Sequence, residues 1–148
     1  MLRPTKILVP TDFSEFSDKA LKQGLDIAKQ YNAKVFLLHV IPSDIQRCSV
    51  DYCLSDVQVQ QVEEQMTQWA KTQMQKQLEK FPRSKEVEVV TDIKKGLAYE
   101  AILDEEKNQG IDLIVIASLG RTGLARFLIG STSRNVLKGA KCPVLLTK

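Results

Sequence analysis

The chain of 148 residues has one histidine and three cysteines, too few for most metal or disulfide frameworks. Cys48, Cys53 and Cys142 cannot all pair with one another, and His39 has no second histidine with which to build a typical zinc site. We interpret His39 as a hydrogen-bonded core residue and Cys142 as a packed thiol. Cys48 and Cys53 are read as surface thiols, with a redox or metal role as the alternative. Unpaired thiols and the lack of a signal-peptide pattern predict a cytoplasmic protein.

The sequence also has only a small excess of positive charge and no long apolar run. Lysine and arginine number 21 against 18 acidic residues, a net charge of +3, and the lysines alternate with acidic residues instead of clustering. This distribution argues against a nucleic-acid partner. The longest apolar runs, at 35–38 and 113–117, are far shorter than the ~20 residues of a membrane-spanning helix. We expect no nucleic-acid or membrane partner, and a single domain over residues 1–148.

The common phosphate-binding motifs are absent as well. The turn after the first apolar run reads Pro10-Thr-Asp-Phe-Ser14. It is neither the G-x-G-x-x-G of dinucleotide-binding folds nor the G-x4-G-K-[ST] of P-loop proteins. No Ser-Gly-Gly-x-Asp-Ser or His-Ile-Gly-His stretch occurs either. These absences disfavour hydride transfer, P-loop hydrolysis, and the adenylating and nucleotidyl-transferring enzymes of similar topology.

What the sequence does contain is a regular alternation of strand-like and helical segments. Apolar runs predict strands at 7–9, 34–41, 112–117 and 144–147, and the alternating Glu86-Val-Glu-Val-Val90 predicts a strand at a sheet edge. Helices are expected after the first strand and at about 55–81, 97–107 and 131–138. The order β-α-β-α-β-α-β-α-β predicts an α/β fold, an open five-stranded parallel sheet with helices on both faces.

Three local expectations accompany this assignment. Asp12 or Ser14 should cap the first helix. Lys94 and Lys95 should lie in a solvated turn. The long helix should bury a stripe of residues that recur every three or four positions: Val59, Val62, Met66 and Trp69.

Ligands of an open parallel sheet bind at the carboxyl ends of the strands, where the strand order reverses. The loops at 10–12, 39–41 and 116–132 can meet there if the first and fourth strands are neighbours. Gly120 and the cluster Gly130-Ser-Thr132, nine residues apart, could hold phosphates at a helix N-terminus. The alternative is that Asp12 and Ser131 only cap helices and that the glycines only turn the chain. Nucleotide binding is the leading hypothesis.

Three stretches of the sequence stand out together: Ile7-Leu-Val-Pro-Thr-Asp12, Leu37-Leu-His-Val40, and Gly-Arg-Thr-Gly-Leu followed by Gly-Ser and Cys-Pro-Val-Leu. They resemble the A-type universal stress protein family, and the resemblance covers essentially the whole chain. It implies a five-stranded parallel α/β domain, usually a cytoplasmic homodimer that acts in stress responses. One branch of the family binds ATP or AMP and another does not.

The nucleotide-binding branch carries the motif G-x2-G-x9-G-[ST], which this chain matches in part. Gly120, Gly130 and Ser131 fit its second half, whereas Ala117 stands at the first glycine position. The Ala117 methyl group could crowd the ribose or phosphates of a ligand, although alanine is the smallest departure from glycine.

The resemblance assigns a role to each matching residue. The adenosine would be lined by Pro10, Thr11, Asp12, Val40, Ile116 and Ala117. Among these, the Asp12 carboxylate would accept hydrogen bonds from ribose or adenine, and the main chain at Val40 would read the adenine edge. The phosphates would be held through N–H groups, hydroxyls and a guanidinium: Gly120, Arg121, Gly130, Ser131 and Thr132.

Three functions stay open at this point. The first is a regulatory or sensing protein that binds ATP or AMP, with Mg²⁺ as an optional companion. The second is a stress-associated dimer with an empty site that acts through protein partners, and the third is a slow ATPase. The sequence offers no proton-transfer constellation, so no enzyme beyond weak ATP hydrolysis is expected. The short apolar strand Val144–Thr147 predicts a homodimer formed through that edge.

Overall fold

The structure is a computed structural model that describes residues 2–43, 55–120 and 129–148. Strands and helices alternate along these residues. The strands are β1 (Lys6–Pro10), β2 (Lys34–Ile41), β3 (Val89–Lys95), β4 (Leu113–Ala117) and β5 (Val144–Thr147). The helices are α1 (Glu15–Tyr31), α2 (Asp56–Glu79), α3 (Ala98–Gln109) and α4 (Ser131–Gly139), with a 3₁₀ turn at Pro82–Lys85.

The five strands form one parallel sheet in the order β3-β2-β1-β4-β5. Ile7 of β1 lies opposite Val35 of β2 on one side and Leu113 of β4 on the other. The predicted fold class is confirmed. The first and fourth strands are neighbours, which is the condition set above for their loops to meet. Because the order reverses between β1 and β4, the loops that follow these strands lie side by side at the carboxyl edge.

Two hydrophobic clusters fill the two faces of the sheet. Ile7 and Val9 face α1 and α2, whereas Leu8 between them faces α3 and α4. All three side chains are fully buried. A strand that is covered on both faces needs an unbroken apolar run, as 7–9 shows. α1 comes especially close to β1 at Gly24, where a Cβ would lie only 2.7 Å from Val9 Cγ2.

The first helix is capped by Ser14, one of the two residues proposed for that position. Its side chain accepts a hydrogen bond from Ser17 N at 3.2 Å. Asp12 does not cap the helix, because its Oδ1 accepts from Ser14 N at 3.0 Å, one step earlier in the chain. The carboxylate is therefore held in the turn that precedes the helix.

The predicted buried stripe on α2 is wrong. Val62 is 38% exposed and Trp69 is 46% exposed, whereas the buried residues of this helix are Ala70, Met74 and Gln77. All three buried positions fall in the second half of α2. The second half of α2 thus provides its buried residues, and the apolar spacing in the first half does not mark a buried face.

The predicted edge strand at 86–90 is displaced along the chain. The strand at this edge is β3, which begins at Val89 because the 3₁₀ turn and the residues after it occupy the preceding segment. Lys94 and Lys95 are its last two residues, so the prediction of a solvated turn is wrong. Lys94 pairs with the buried Glu105 of α3, and Lys95 pairs with Glu63 of α2 at 2.9 Å. In the described part of the chain, no helix is both long and apolar enough to cross a bilayer.

Candidate functional site

A cavity of about 240 Å³ opens at the carboxyl edge of the sheet. Its wall is built by the ends of β1, β2 and β4, the start of α3 and the N-terminus of α4. Ten of the eleven residues named from the sequence lie on this wall: Pro10, Thr11, Asp12, Val40, Ile116, Ala117, Gly120, Gly130, Ser131 and Thr132. The eleventh, Arg121, lies outside the described residues.

One part of the wall is apolar. Leu38, Ile102 and Ile116 line it and are buried members of the hydrophobic cluster under α3 and α4. Ala98, the first residue of α3, adds a small side chain at the rim. Apolar walls of this kind can bury the faces of a flat ring.

Thr11 stabilises the loop after β1 through hydrogen bonds of its hydroxyl and carbonyl groups. Its hydroxyl lies 2.9 Å from Gln77 Oε1 and 3.0 Å from Ser17 Oγ, and it accepts a hydrogen bond from Phe13 N at 3.1 Å. Its carbonyl oxygen lies 2.9 Å from His39 Nδ1. Because the hydroxyl already has these protein partners, Thr11 contributes to the cavity through its position in the loop.

Gln77 connects this loop to the second half of α2. Its side chain is 2% exposed, and its Nε2 donates to Asp18 Oδ1 at 2.8 Å. The other oxygen of Asp18 pairs with Lys80 at 2.8 Å. A buried amide needs such partners, since an unsatisfied polar group would destabilise the fold. The network fastens the β1–α1 loop to α2.

The Asp12 carboxylate lies against Gly120. Oδ1 is engaged by Ser14 N, and a Cβ built on Gly120 would approach Oδ2 to 3.0 Å. The absence of a side chain at Gly120 therefore lets the loop after β4 approach the carboxylate closely. An alanine there would force the Asp12 carboxylate or the loop that carries Gly120 to shift by a few tenths of an ångström.

The N-terminus of α4 forms another part of the wall. Gly130 precedes the helix, and its N–H donates to Ser118 O at 2.8 Å. The Ser133 hydroxyl donates to Ala117 O at 2.6 Å, which joins the helix to the end of β4. The amides of 131–133 belong to the first helical turn and have no intrahelical carbonyl to bind. With the helix dipole, they favour an anion in the cavity.

Ala117, the residue at the imperfect motif position, is 7% exposed. Its side chain belongs to the cluster that faces α1 and α2, whereas neighbouring Ile116 belongs to the cluster that faces α3 and α4. The methyl group thus lies on the face of the sheet opposite the apolar wall. This placement weakens the argument that the methyl group crowds a ligand.

Seven residues of the wall were not named as site residues from the sequence: Ser17, Leu38, His39, Ala98, Ile102, Leu119 and Ser133. Ser133 could have been found, because it is the third residue of a helix whose first two were already assigned to the site. His39 is hydrogen-bonded, as interpreted, but it is only half-buried and lines the cavity.

Within the described residues, no group of three or more His, Cys, Asp or Glu side chains could hold a metal ion.

The strand order and the position of the cavity define an open parallel α/β protein with a ligand site at the carboxyl edge. The sequence matches the model of the universal stress protein family over residues 4–148. Universal stress protein MJ0577 of Methanocaldococcus jannaschii is 34% identical, over 97% of this chain and 94% of that protein. The solved structure of MJ0577 has a TM-score of 0.83 and covers 99% of this chain, with 97% of its own chain covered. The chain belongs to the universal stress protein family.

Two further solved universal stress proteins have nucleotide ligands. One was solved in complex with cAMP and has a TM-score of 0.68 at 20% identity, over 99% of this chain and 98% of its own. The other, from Archaeoglobus fulgidus, was solved in complex with dAMP and has a TM-score of 0.59 at 20% identity, over 99% of this chain and 100% of its own. At these identities the likeness is one of fold.

Proposed function

We propose that this chain binds an adenine nucleotide, ATP or AMP, in the cavity at the carboxyl edge, and that it does so in a regulatory or sensing role in stress responses. One observation carries the proposal. An apolar wall, a carboxylate and the N-terminus of a helix share a single cavity. These are the three environments that a purine base, a ribose and a phosphate chain require.

Each part of the nucleotide has a matching part of the wall. The base would bury its faces against Leu38, Ile102 and Ile116. The ribose hydroxyls would donate to Asp12, and hydrogen bonds to a charged group stabilise a complex by about 1.5–3 kcal/mol each. The phosphates would accept from the amides of 131–133 and from the neighbouring hydroxyls. Two proteins of the same fold were solved in complex with cAMP and dAMP, which supports the idea that this fold accommodates adenine nucleotides.

A thermal-shift titration with ATP, ADP, AMP and cyclic AMP, with and without Mg²⁺, tests the proposal. A ligand at 100 times its Kd adds about 2.7 kcal/mol to the free energy of unfolding. For a chain of this size, the midpoint should rise by about 5–11 °C. An unchanged midpoint with all four nucleotides would refute nucleotide binding.

The role of the helix amides can be tested with a matched pair of variants. Ser131→Pro removes one amide N–H and the hydroxyl, while Ser131→Ala removes the hydroxyl alone. Proline is tolerated at the first helical position, and Gly130 already has the extended backbone (φ −58°, ψ 156°) that a residue before proline needs. We expect Ser131→Pro to bind ATP about tenfold more weakly than Ser131→Ala. Equal affinities would mean that this amide does not contact the phosphates.

The alternative of an empty site that acts through protein partners is favoured by one observation. The cavity of about 240 Å³ is smaller than the ~300 Å³ at which small-molecule sites usually begin. The absence of any nucleotide-induced shift would favour this alternative. A slow ATPase would instead release phosphate above background, and Asp12→Ala would abolish that release.

The same proposal includes a homodimer formed through β5, Val144–Thr147. This strand pairs with β4 and is the last in the strand order of the described sheet, and its Leu145 is 38% exposed. An apolar edge strand invites pairing with a second copy. Light scattering after size exclusion should give a dimer for the natural chain and a monomer for Leu145→Lys. A monomeric natural chain at micromolar concentration would refute the dimer.

A cytoplasmic location is also part of the proposal. It is supported by Cys142, which is a free thiol in the structure, because unpaired cysteines are usual in reducing compartments. Fractionation of cells that express the tagged chain should recover it with cytoplasmic markers, and recovery with secreted proteins would refute the location.

A further inference from the structure

Phe13 has an unusual backbone conformation beside the cavity. Its φ is 65°, in the left-handed region, and among the described residues only Asn32 shares a positive φ without being glycine. Asn32 ends α1, a position where asparagine is common. A bulky aromatic residue rarely adopts this conformation, so the surrounding structure must hold it in place.

Two aromatic rings hold Phe13. Its ring centroid lies 4.4 Å from that of His39, with a tilt of 31°, and 5.5 Å from that of Trp69, edge to face. His39 is itself anchored, because its Nδ1 faces the Thr11 carbonyl oxygen at 2.9 Å. A carbonyl only accepts, so Nδ1 carries the proton. We call His39, Phe13 and Trp69 the aromatic stack.

The left-handed turn at Phe13 sets the geometry of Asp12. Phe13 N donates to the Thr11 hydroxyl at 3.1 Å, and Ser14 N turns back to donate to Asp12 Oδ1 at 3.0 Å. With Oδ1 fixed in this way, Oδ2 lies against Gly120 at the cavity wall. A different backbone at Phe13 would move Ser14 N away from the carboxylate.

We propose that the aromatic stack is a positioning device that holds the Asp12 carboxylate in a nucleotide-binding orientation, an inference that rests on the proposed nucleotide site. Phe13 and Trp69 act through Asp12 and need not touch the ligand. Trp69 belongs to α2, so the stack also makes the side chains of that helix a determinant of nucleotide affinity.

The test measures ATP binding by calorimetry in the natural chain and in matched variants. Phe13→Ala should weaken binding about tenfold, the lower end of what a hydrogen bond to a carboxylate contributes. Phe13→Tyr keeps the ring and should retain the natural affinity. The control is Phe81→Ala, because Phe81 packs partly buried against the same hydrophobic cluster as Phe13 and does not line the cavity. Trp69→Ala, at a half-exposed position, should weaken binding in the same direction by a smaller factor.

Trp69 is the one tryptophan of the chain and gives a second readout. ATP should change its fluorescence in the natural chain but not in Phe13→Ala at saturating ATP. If Phe13→Ala binds ATP as Phe81→Ala does, or if Phe13→Tyr fails to restore binding, the positioning role is overturned while the nucleotide site stands. A natural chain that binds no nucleotide overturns both proposals.

Discussion

Lys94 on the edge strand and Glu105 on α3 form an ion pair whose removal should measurably destabilise the fold. Lys94 Nζ lies 2.5 Å from Glu105 Oε2, and the two side chains are 28% and 2% exposed. Among the described residues, that oxygen has no hydrogen-bond partner, so the contact is an ion pair without hydrogen-bond geometry. Lys94→Met leaves the carboxylate buried without the cation of Lys94. Loss of one partner of a buried pair costs about 3–5 kcal/mol, which corresponds to a midpoint lower by about 6–20 °C.

The neighbouring residue supplies the control. Lys95 pairs with Glu63 at 2.9 Å, but this pair is 50% and 23% exposed. Solvent screens such pairs, so Lys95→Met should cost less than about 1 kcal/mol. Urea denaturation of the two variants compares the same substitution at adjacent positions of β3.

A double variant separates charge burial from lost packing. Lys94→Met with Glu105→Leu removes both charges and keeps similar volumes, and it should recover most of the stability lost in Lys94→Met. Two results would refute the reasoning: equal urea midpoints for Lys94→Met and Lys95→Met, or a double variant no more stable than Lys94→Met.

Three further predictions concern single residues. Partial burial raises the pKa of Asp112, but hydrogen bonds from Thr5 and the amide that follows it outweigh this and lower the pKa below its usual 3.8. This stabilisation is present above pH 3.8 and is lost as the pH falls through the lowered pKa, so the stability deficit of Asp112→Asn in urea should be smaller at pH 2 than at pH 7. Burial, followed by the hydrogen bond and charge of Glu106, raises the pKa of Cys142 from 9.0 to about 12. In a variant whose other two cysteines are replaced by serine, alkylation of Cys142 at pH 9 should therefore be much slower in the folded chain than in urea. Equal alkylation rates would contradict this prediction. Ala117→Gly should change ATP affinity by less than about threefold, because the methyl group faces the core cluster; a larger gain in a calorimetric titration would restore the steric argument.

The strands followed from local patterns wherever burial was complete, whereas their order in the sheet did not. The runs at 7–9 and 113–117 are apolar because both faces of β1 and β4 are covered, and this pattern needs no knowledge of partners. The edge strand and α2 were harder. Lys94 lies within β3 and pairs with Glu105 of another element, and the buried residues of α2 all lie in its second half. Neither fact can be read from a period along the chain.

The features of the candidate site also fall into those that local sequence patterns predict and those that depend on contacts between distant elements. Gly120, Gly130 and Ser131 could be named because glycine and serine at fixed spacing have a direct reason to approach a phosphate. Ile102 lies on the wall through the packing of α3 on the sheet, and the left-handed turn at Phe13 packs against the rings of His39 and Trp69. Packing between distant elements decides both features, and local patterns in a single sequence do not reveal such packing.

The amide of Gln77 joins the long helix to the ligand loop, and this has a consequence for local opening. Ser17, Asp18 and Thr11 all bond to this one buried side chain. The second half of α2 and the rim of the cavity should therefore exchange their amide hydrogens as one cooperative unit, whereas the more exposed first half of the helix exchanges sooner. A ligand that steadies the rim would then slow exchange many residues away, in a helix it never touches.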